Sequence, residues 1–574
     1  MIRAGIDVAD GATLEADAVV VGSGPMGIVV ALELAEKGHR VLLVESGGLK
    51  FERAAQDLAR HSGNDVWHVP ADLAVRRQIG GTSATWGGRC VPFDPIDFEP
   101  RPAVPDALWP VRYEEMARYL DRACAWSRCG KPVFSALELP ELAGRSMIPG
   151  FPDGDVLTTS LERWSLPTRF GRVYRKRIEQ SPQVDLVAGL TCTHIACDPA
   201  TGEVDHLVLR SLRGPRATAR GRFYVLATGG LEATRLLMAS NDVHADGIGN
   251  GSGHLGRWYM AHVEARVANV HLTTPPESTV HDHELDADGV YVRRRFTFSP
   301  ELQRRKGLPN VAIWFVNPDM GDPAHGSGIL SGVYLTLVSP AGRFMLAEAI
   351  RQARTKTPGP VRKRDHVRNI VRDLGPAARF ALDFSYRRFL KPGRKAPGFF
   401  VRSAVNIYPL DYHGEHRPNP DSRVVLTAGR DALGVPRIKT ELKFSDEDVA
   451  SVEQAMRELD GAVRGAGVGH LEFLFDDIAT GVRECLRESS GFHQTGTTRM
   501  AASAADGVVD ANLAVFDTDN LFVASTSTFP TSSQANPTLT GIAFAVRLAE
   551  HLNGRLRGPA GPATRERLPG VGRA

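Results

Sequence analysis

Six residues, Gly22-Ser23-Gly24-Pro25-Met26-Gly27, have the spacing that lets a backbone turn hold a pyrophosphate. They follow a short β-branched run, DAVVVG (17–22), which reads as a buried parallel strand. A helical pattern through Ile28, Val29, Leu32, Leu34 and Ala35 comes next and stops near Gly38, and a second strand, Val41 to Val44, ends in Glu45. The first glycine makes the tight turn, the second lets backbone approach phosphate, and the third lets helix pack on strand. The helix N-terminus then offers free N–H groups and a positive dipole end to the anion. Glu45 can accept hydrogen bonds from both hydroxyls of an adenosine ribose, which argues against a ribose 2′-phosphate. A lone GxGxxG is a weak signal, but here strand, helix, strand and acid are all in register.

A second glycine-rich loop, Ile79-Gly-Gly-Thr-Ser-Ala-Thr-Trp-Gly-Gly88, is too glycine-dense for a helix or a central strand. It can lay backbone amides and the Thr82 and Ser83 hydroxyls against a second portion of one extended cofactor. A flat flavin needs that kind of close backbone approach, so the pair of loops favours FAD over NAD. In isolation the same loop reads better as a flexible turn.

These loops need a large two-lobed scaffold, and 574 residues suffice for one. With 42% hydrophobic and 24% charged residues, the chain has an ordinary globular composition. A net charge of +3 gives no case for nucleic acid as a partner. The six cysteines form no CxxC pair and have no histidines at zinc spacing, so reduced thiols and no metal are expected. The N-terminus lacks a secretory pattern and no run of eighteen apolar residues exists, so a cytoplasmic protein is expected.

Further along, 184–228 alternates short strands with turns and ends in FYVLATGG (223–230). The stretch from 262 to about 330 reads as strand-rich, as in GVYVRRRFTF and GVYLTLV. A strand at 521–525 and a helix at 538–552 follow, and the Gly, Pro and Arg-rich end from Gly554, most clearly 556–574, reads as a disordered tail. Residues 343–395 hold fifteen Lys or Arg against four Asp or Glu, with Val367, Ile370, Val371 and Leu374 at helical spacing. One reading is a solvated basic helix or subunit contact; the other is a peripheral contact with an anionic membrane or an acidic partner.

The chain resembles the glucose–methanol–choline oxidoreductases, nearest their bacterial sugar and polyol dehydrogenase and pyranose 2-oxidase-like branch. Residues 17–48 are similar to the family's FAD fingerprint, and IGGTSATWGG to its flavin-contacting loop. WPVRYEEMARYLDRA (109–123) resembles the opening of its substrate domain, and 223–240 its third cofactor-side strand and helix. HRPNPDSRVVLT (416–427) and DALGVPRIKTEL (431–442) resemble the core of its substrate-domain sheet. HQTGTTRM (493–500) is similar to its catalytic histidine segment, and 529–552 to its closing flavin-binding segment.

The resemblance implies an α/β plus α+β fold: a Rossmann-like FAD-binding domain and a discontinuous substrate domain on a mostly antiparallel sheet. The FAD-binding parts would be 1–100, 176–260 and 486–555; the substrate domain would take 101–175 and 261–485. Cofactor contacts would come from Gly22, Ser23, Gly24, Met26, Gly27, Glu45, Gly81, Thr82, Ser83, Trp86, Gly87, Asn536, Pro537 and Thr538. Trp86 either covers a flavin face or packs. Some relatives attach flavin to a histidine at the position of Thr85, so FAD is expected to be noncovalent here.

The implied reaction is oxidation of a CH–OH group on a sugar, polyol or sugar-containing metabolite. His493, as neutral imidazole, would take the hydroxyl proton, and the Asn536 amide would hold the same oxygen while hydride leaves for flavin N5. Arg499 and Met500 are expected to pack, Arg89 to form a surface ion pair, and His262 to lie outside the site. A non-carbohydrate alcohol, or a non-catalytic flavin-binding subunit, are the alternatives. The electron acceptor would be oxygen, a quinone or a protein, and the basic segment inclines the reading towards a dehydrogenase.

Overall fold

Val19, Val20 and their neighbours in the strand Ala18–Val21 are buried at every position, as a strand covered on both faces requires. It lies inside a six-stranded parallel sheet in the order Ile2–Ala4, Val184–Ala188, Val41–Glu45, Ala18–Val21, Phe223–Leu226 and Leu521–Val523. Val21 pairs with Val44 on one side and Leu226 on the other, so three strands end together at the first glycine loop. The helix Pro25–Glu36 follows that loop and packs against the closing helix Thr538–Arg557. A smaller four-stranded sheet (Ala12–Glu15, Arg216–Arg220, Val204–Arg210, Thr191–Cys197) lies beside it. The structure is a computed structural model and describes residues 1–61, 66–165, 168–342, 351, 355, 362–403, 405–487 and 491–558.

The second lobe is an antiparallel sheet whose main path runs Gly469–Phe473, His262–Leu272, Ile407–Glu415, Val311–Phe315, Tyr291–Phe298, Val156–Trp164 and Arg89–Cys90. It has its own apolar core, closed by the helix Asp446–Gly465 through Val452, Met456 and Leu459. The second glycine loop runs straight into the edge strand Arg89–Cys90, so one stretch of chain joins the parallel lobe to the antiparallel sheet. This is the α/β plus α+β architecture with a mostly antiparallel second sheet.

Three readings need correction. GVYLTLV (332–338) is not a strand but part of the helix Gly328–Val338, capped by Ser327. A short apolar run does not declare its period, and here Tyr334 stacks on His366, so tertiary packing overrode the β-branched composition. Arg423–Arg430 and Pro436–Glu441 form a separate two-stranded ribbon packed on the helix Gly230–Ala239, not the core of the large sheet. The closing helix also continues through Gly554 to Arg557, where Leu556 is buried and helps hold it, so helix occupies the first residues of the expected tail. The tail from 559 on lies outside the described residues, as does most of 343–361.

Candidate active site

The two glycine loops meet. A Cβ on Gly81, at φ +54°, would lie 2.9 Å from the Gly24 Cα, so the loops pack backbone on backbone. Between them and the parallel sheet runs a cavity of about 600 Å³. Gly22, Gly24, Met26, Glu45, Gly81, Thr82, Ser83, Trp86, Gly87, Asn536, Pro537 and Thr538 all line it. Ser23 and Gly27 do not. The Ser23 amide and hydroxyl donate to Glu45 Oε2 at 2.9 and 2.7 Å, and the Gly47 amide donates to Oε1 at 2.9 Å. Ser23 therefore orients the carboxylate instead of meeting a ligand itself. Gly27 permits close packing: a Cβ there would fall 1.9 Å from the Gly22 carbonyl oxygen.

Three helix N-termini face the cavity: Pro25–Glu36, Gly230–Ala239 and Thr538–Arg557. None has a side-chain cap from its N-cap residue, so first-turn N–H groups are offered to an anion, apart from the Leu231 amide, which donates to Gln494 Oε1 at 3.4 Å. The Thr228 hydroxyl and Asn536 Oδ1 are buried without a protein partner. Gly24 has no protein atom nearer than 4.0 Å to an added Cβ, and Gly87 and Gly229 have none within 4 Å. Elongated space, open glycine backbone, converging helix dipoles and orphaned polar atoms fit an extended dinucleotide such as FAD.

His493 and Asn536, forty-three residues apart, meet at one end of this cavity: Asn536 Nδ2 lies 2.7 Å from His493 Nε2. The amide donates there, so Nε2 carries the lone pair and Nδ1 the proton. That proton is shared with His262 Nδ1 at 2.9 Å. His262 is buried behind His493 and stacks on His413, ring centroids 4.1 Å apart. His413 is fixed through Nδ1 by the Gln534 carbonyl at 2.8 Å, and its Nε2 lies 3.6 Å from Glu264. Burial first, and then the positive Arg89, push the His493 imidazole down to about 3. His262 and His413 are pushed down too, chiefly by burial. Burial, helped by Asp411, raises the Glu264 carboxyl to about 7. His493 is thus neutral over a much wider range than an ordinary histidine.

Nitrogens of His262, His413 and His493 come within 4.8 Å of one another, a grouping that cysteine spacing could not reveal. The closest pair is engaged in the hydrogen bond between the two Nδ1 atoms.

Arg89 is not on the surface. Its Nε meets the buried Glu162 at 2.7 Å, its guanidinium lies 4.3 Å over Trp314, and it lines the cavity beside His493. Burial lowers it to about 10 against the pull of Glu162. Arg293 also pairs with Glu162, and Arg295 donates to Gln534 Oε1 at 2.6 Å. Arg89 is thus held at the cavity by a buried charged and aromatic network behind it. Trp86 lines the cavity and donates to the Thr168 carbonyl at 2.7 Å. Arg499 donates to the Asp106 carbonyl and lies over Trp258, while Met500 is fully buried.

Sequence reasoning missed His413 and Glu162 as members of this constellation, and it set His262 and Arg89 aside in favour of a position outside the site and a surface ion pair. The strands of His413 and Glu162 carry no clear signal, because His413 lies on the face opposite Tyr408, Leu410 and Tyr412 and Glu162 on the face opposite Leu161, so only the packing of the sheet shows that both are buried.

Residues 418–545 match the C-terminal GMC oxidoreductase family. The chain is 21% identical to 2-methyl-1,2-propanediol dehydrogenase of Mycolicibacterium austroafricanum, covering 94% of this chain and 96% of that one. It is 23% identical to paromamine 6′-oxidase of Streptomyces fradiae, covering 94% and 92%. Among solved structures, formate oxidase shares the fold with a TM-score of 0.53 at 16% identity, covering 96% of this chain and 99% of that one. The chain is similar to the GMC oxidoreductases along its length, and it is an FAD-dependent alcohol oxidoreductase.

Proposed function

We propose that the enzyme oxidises a secondary or primary CH–OH group of a polyol or sugar-like substrate, with His493 as the base and Asn536 as the hydroxyl-orienting residue. The observation that carries this reading is the 2.7 Å contact between Asn536 Nδ2 and His493 Nε2 at the end of the cavity bounded by both glycine loops. FAD, when bound, supplies the two-electron acceptor for the hydride of the alcohol carbon.

A substrate hydroxyl entering between the two side chains would donate its proton towards His493 Nε2 and accept from Asn536 Nδ2. The His262 contact keeps the other His493 proton on Nδ1, so Nε2 is ready to receive. A base this neutral is a weak proton acceptor in its resting state, so Asn536 and the positive Arg89 must stabilise the oxygen as its proton leaves. Gly22, Gly24 and the helix N-termini would hold the pyrophosphate, and Glu45, set by Ser23 and Gly47, would meet the ribose. Trp86 and the Gly81–Gly87 loop would lie along the flavin. No histidine stands at Thr85, whose hydroxyl is 3.3 Å from the Thr82 carbonyl, so attachment is noncovalent. The domain assignment follows: residues contributing to the parallel sheet hold cofactor, and the antiparallel sheet walls the substrate space.

Arg89, His493 and Asn536 line the cavity together, and an apolar alcohol placed against them would leave those polar groups unsolvated, which favours a hydroxyl-rich substrate over a sterol. The relatives' names, a propanediol dehydrogenase and a paromamine oxidase, point the same way. The test is anaerobic reduction of the purified flavoprotein with matched panels, polyols and sugars against aliphatic, aromatic and sterol alcohols. Bleaching confined to the first panel upholds the reading; bleaching confined to the second overturns it. Reoxidation by air against a quinone then separates oxidase from dehydrogenase, and dehydrogenase is the expected result.

A further inference from the structure

One basic helical arm carries its apolar residues on the outside. Residues 343–395 hold fifteen of the 69 Lys and Arg and only four of the 66 Asp and Glu, which leaves 54 basic against 62 acidic residues for the rest of the chain. The segment is therefore basic in an otherwise acidic sequence. In the described part, 362–395, the excess is eleven basic to three acidic residues.

The pattern of the helix Lys363–Arg372 is inverted. Its buried residues are polar: His366 Nδ1 lies 3.0 Å from the Ser331 hydroxyl, and Asn369 donates to the Pro323 carbonyl at 2.8 Å. Val367 and Val371, one turn apart, face solvent. The next helix, Leu374–Ser385, has no buried residue at all. Phe380 and Phe384 lean on Phe399, while Leu374, Leu382, Tyr386, Phe389 and Leu390 are exposed, Leu382 at 77% and Leu390 at 72%. Leu374, Leu382, Tyr386 and Leu390 recur at multiples of four positions, a stripe along one side. Arg364, Arg368, Arg379 and Lys391 lie among them, with no carboxylate partner among the described residues. The root of the arm is firm, since Phe384 packs with Trp164 and Tyr291 on the strand pair that carries Glu162.

Exposed aliphatic residues at helical spacing, interleaved with unpaired cations, satisfy both requirements of an interfacial helix: apolar insertion and attraction to negative headgroups. A second copy of the chain would bring the same positive cluster against itself. An acidic protein would answer the charges but not the spread of leucines along more than four turns. We propose that this arm docks the enzyme on an anionic lipid surface. No helix among the described residues is long and apolar enough to cross a membrane, so the contact is peripheral.

The docking is independent of the catalytic reading and is measured without turnover. Purified holoenzyme is floated with vesicles of phosphatidylcholine alone or with phosphatidylglycerol, at low and high salt. The wild type is expected to float with the anionic vesicles, less so at high salt, and to stay behind with the neutral ones. The double variant Leu382→Asp/Leu390→Asp should lose at least tenfold in bound fraction while keeping its flavin content, melting temperature and light-scattering mass. No flotation, equal flotation on both lipids, or full binding by the variant overturns the proposal. A variant whose mass falls would instead reveal an interface between copies, and one whose melting temperature falls would reveal a face covered by the chain itself; either also overturns it.

Discussion

Gly24→Ala separates what the protein needs from what its cofactor needs. Gly24 has φ −67° and ψ −178°, extended backbone that alanine adopts freely, and an added Cβ meets no protein atom nearer than 4.0 Å. Alanine restricts the unfolded chain, which stabilises by about 0.4–1 kcal/mol, and loses the helix-cap preference of glycine, which costs a similar amount. The apoprotein should therefore melt within a few degrees of wild type. The same methyl enters the space where backbone must approach the pyrophosphate, and overpacking of a close contact costs about 1–3 kcal/mol. That corresponds to roughly 5- to 150-fold weaker FAD binding. Gly27→Ala is the control for the opposite case, because its Cβ would lie 1.9 Å from the Gly22 carbonyl oxygen and must part helix from strand. The assay pairs the melting temperature of the FAD-stripped protein with a fluorescence titration of FAD. Wild-type affinity in Gly24→Ala, or a marked loss of apoprotein stability, would refute the placement of the pyrophosphate.

Other consequences follow from the histidine cluster and the buried charges. With His493 held at about 3, the rate constant of anaerobic reduction should show no acid limb near pH 6.5, and a limb centred there would contradict the neutral base. The same depression lies below the unfolded value, so its contribution to stability is fully present above about pH 6.5 and lost as pH falls towards 3; melting temperature against pH reads it. His262→Phe removes the acceptor for the His493 Nδ1 proton at 2.9 Å; a lost buried hydrogen bond of about 1–3 kcal/mol predicts a roughly 5- to 150-fold fall in kcat with KM little changed. An unchanged kcat would show that the tautomer needs no such lock. Arg101→Met strips the buried Glu415 of both its 2.8 Å hydrogen bonds and leaves Asp97 without its cation; a loss of about 3–5 kcal/mol should appear in chemical denaturation.

The cofactor side was readable because its residues are close in sequence and constrained by backbone. Gly22, Gly24, Met26, Glu45 and Gly81 to Ser83 line the cavity where their segments place them, and the parallel sheet only brings those segments together. His493 and Asn536 became readable through the segments that surround them, since neither residue type alone marks a site. The substrate wall was hidden because strand register makes it: Arg89 reaches Glu162 only when Arg89 pairs with Trp164, and His413 faces His262 only through the antiparallel pairing of their strands. Arg89 looked like a surface residue for the same reason, as nothing nearby in sequence neutralises it. The helix Gly328–Val338 was misread because a mostly apolar run of seven residues fits either period, and its partners His366 and Asn369 lie more than thirty positions away. The basic arm showed its charge in the sequence, but the outward direction of its leucines depends on a helix whose polar residues are the ones that pack.

Everything proposed for the chemistry turns on His493 taking the proton of the alcohol. Single-turnover reduction of the flavoprotein by its best polyol substrate is to be compared with that of His493→Ala at equal FAD content. The reduction rate constant should fall by about 10²- to 10⁴-fold, with the flavin spectrum of the oxidised variant unchanged. A variant that reduces within a few-fold of wild type would contradict the assignment and place the base elsewhere.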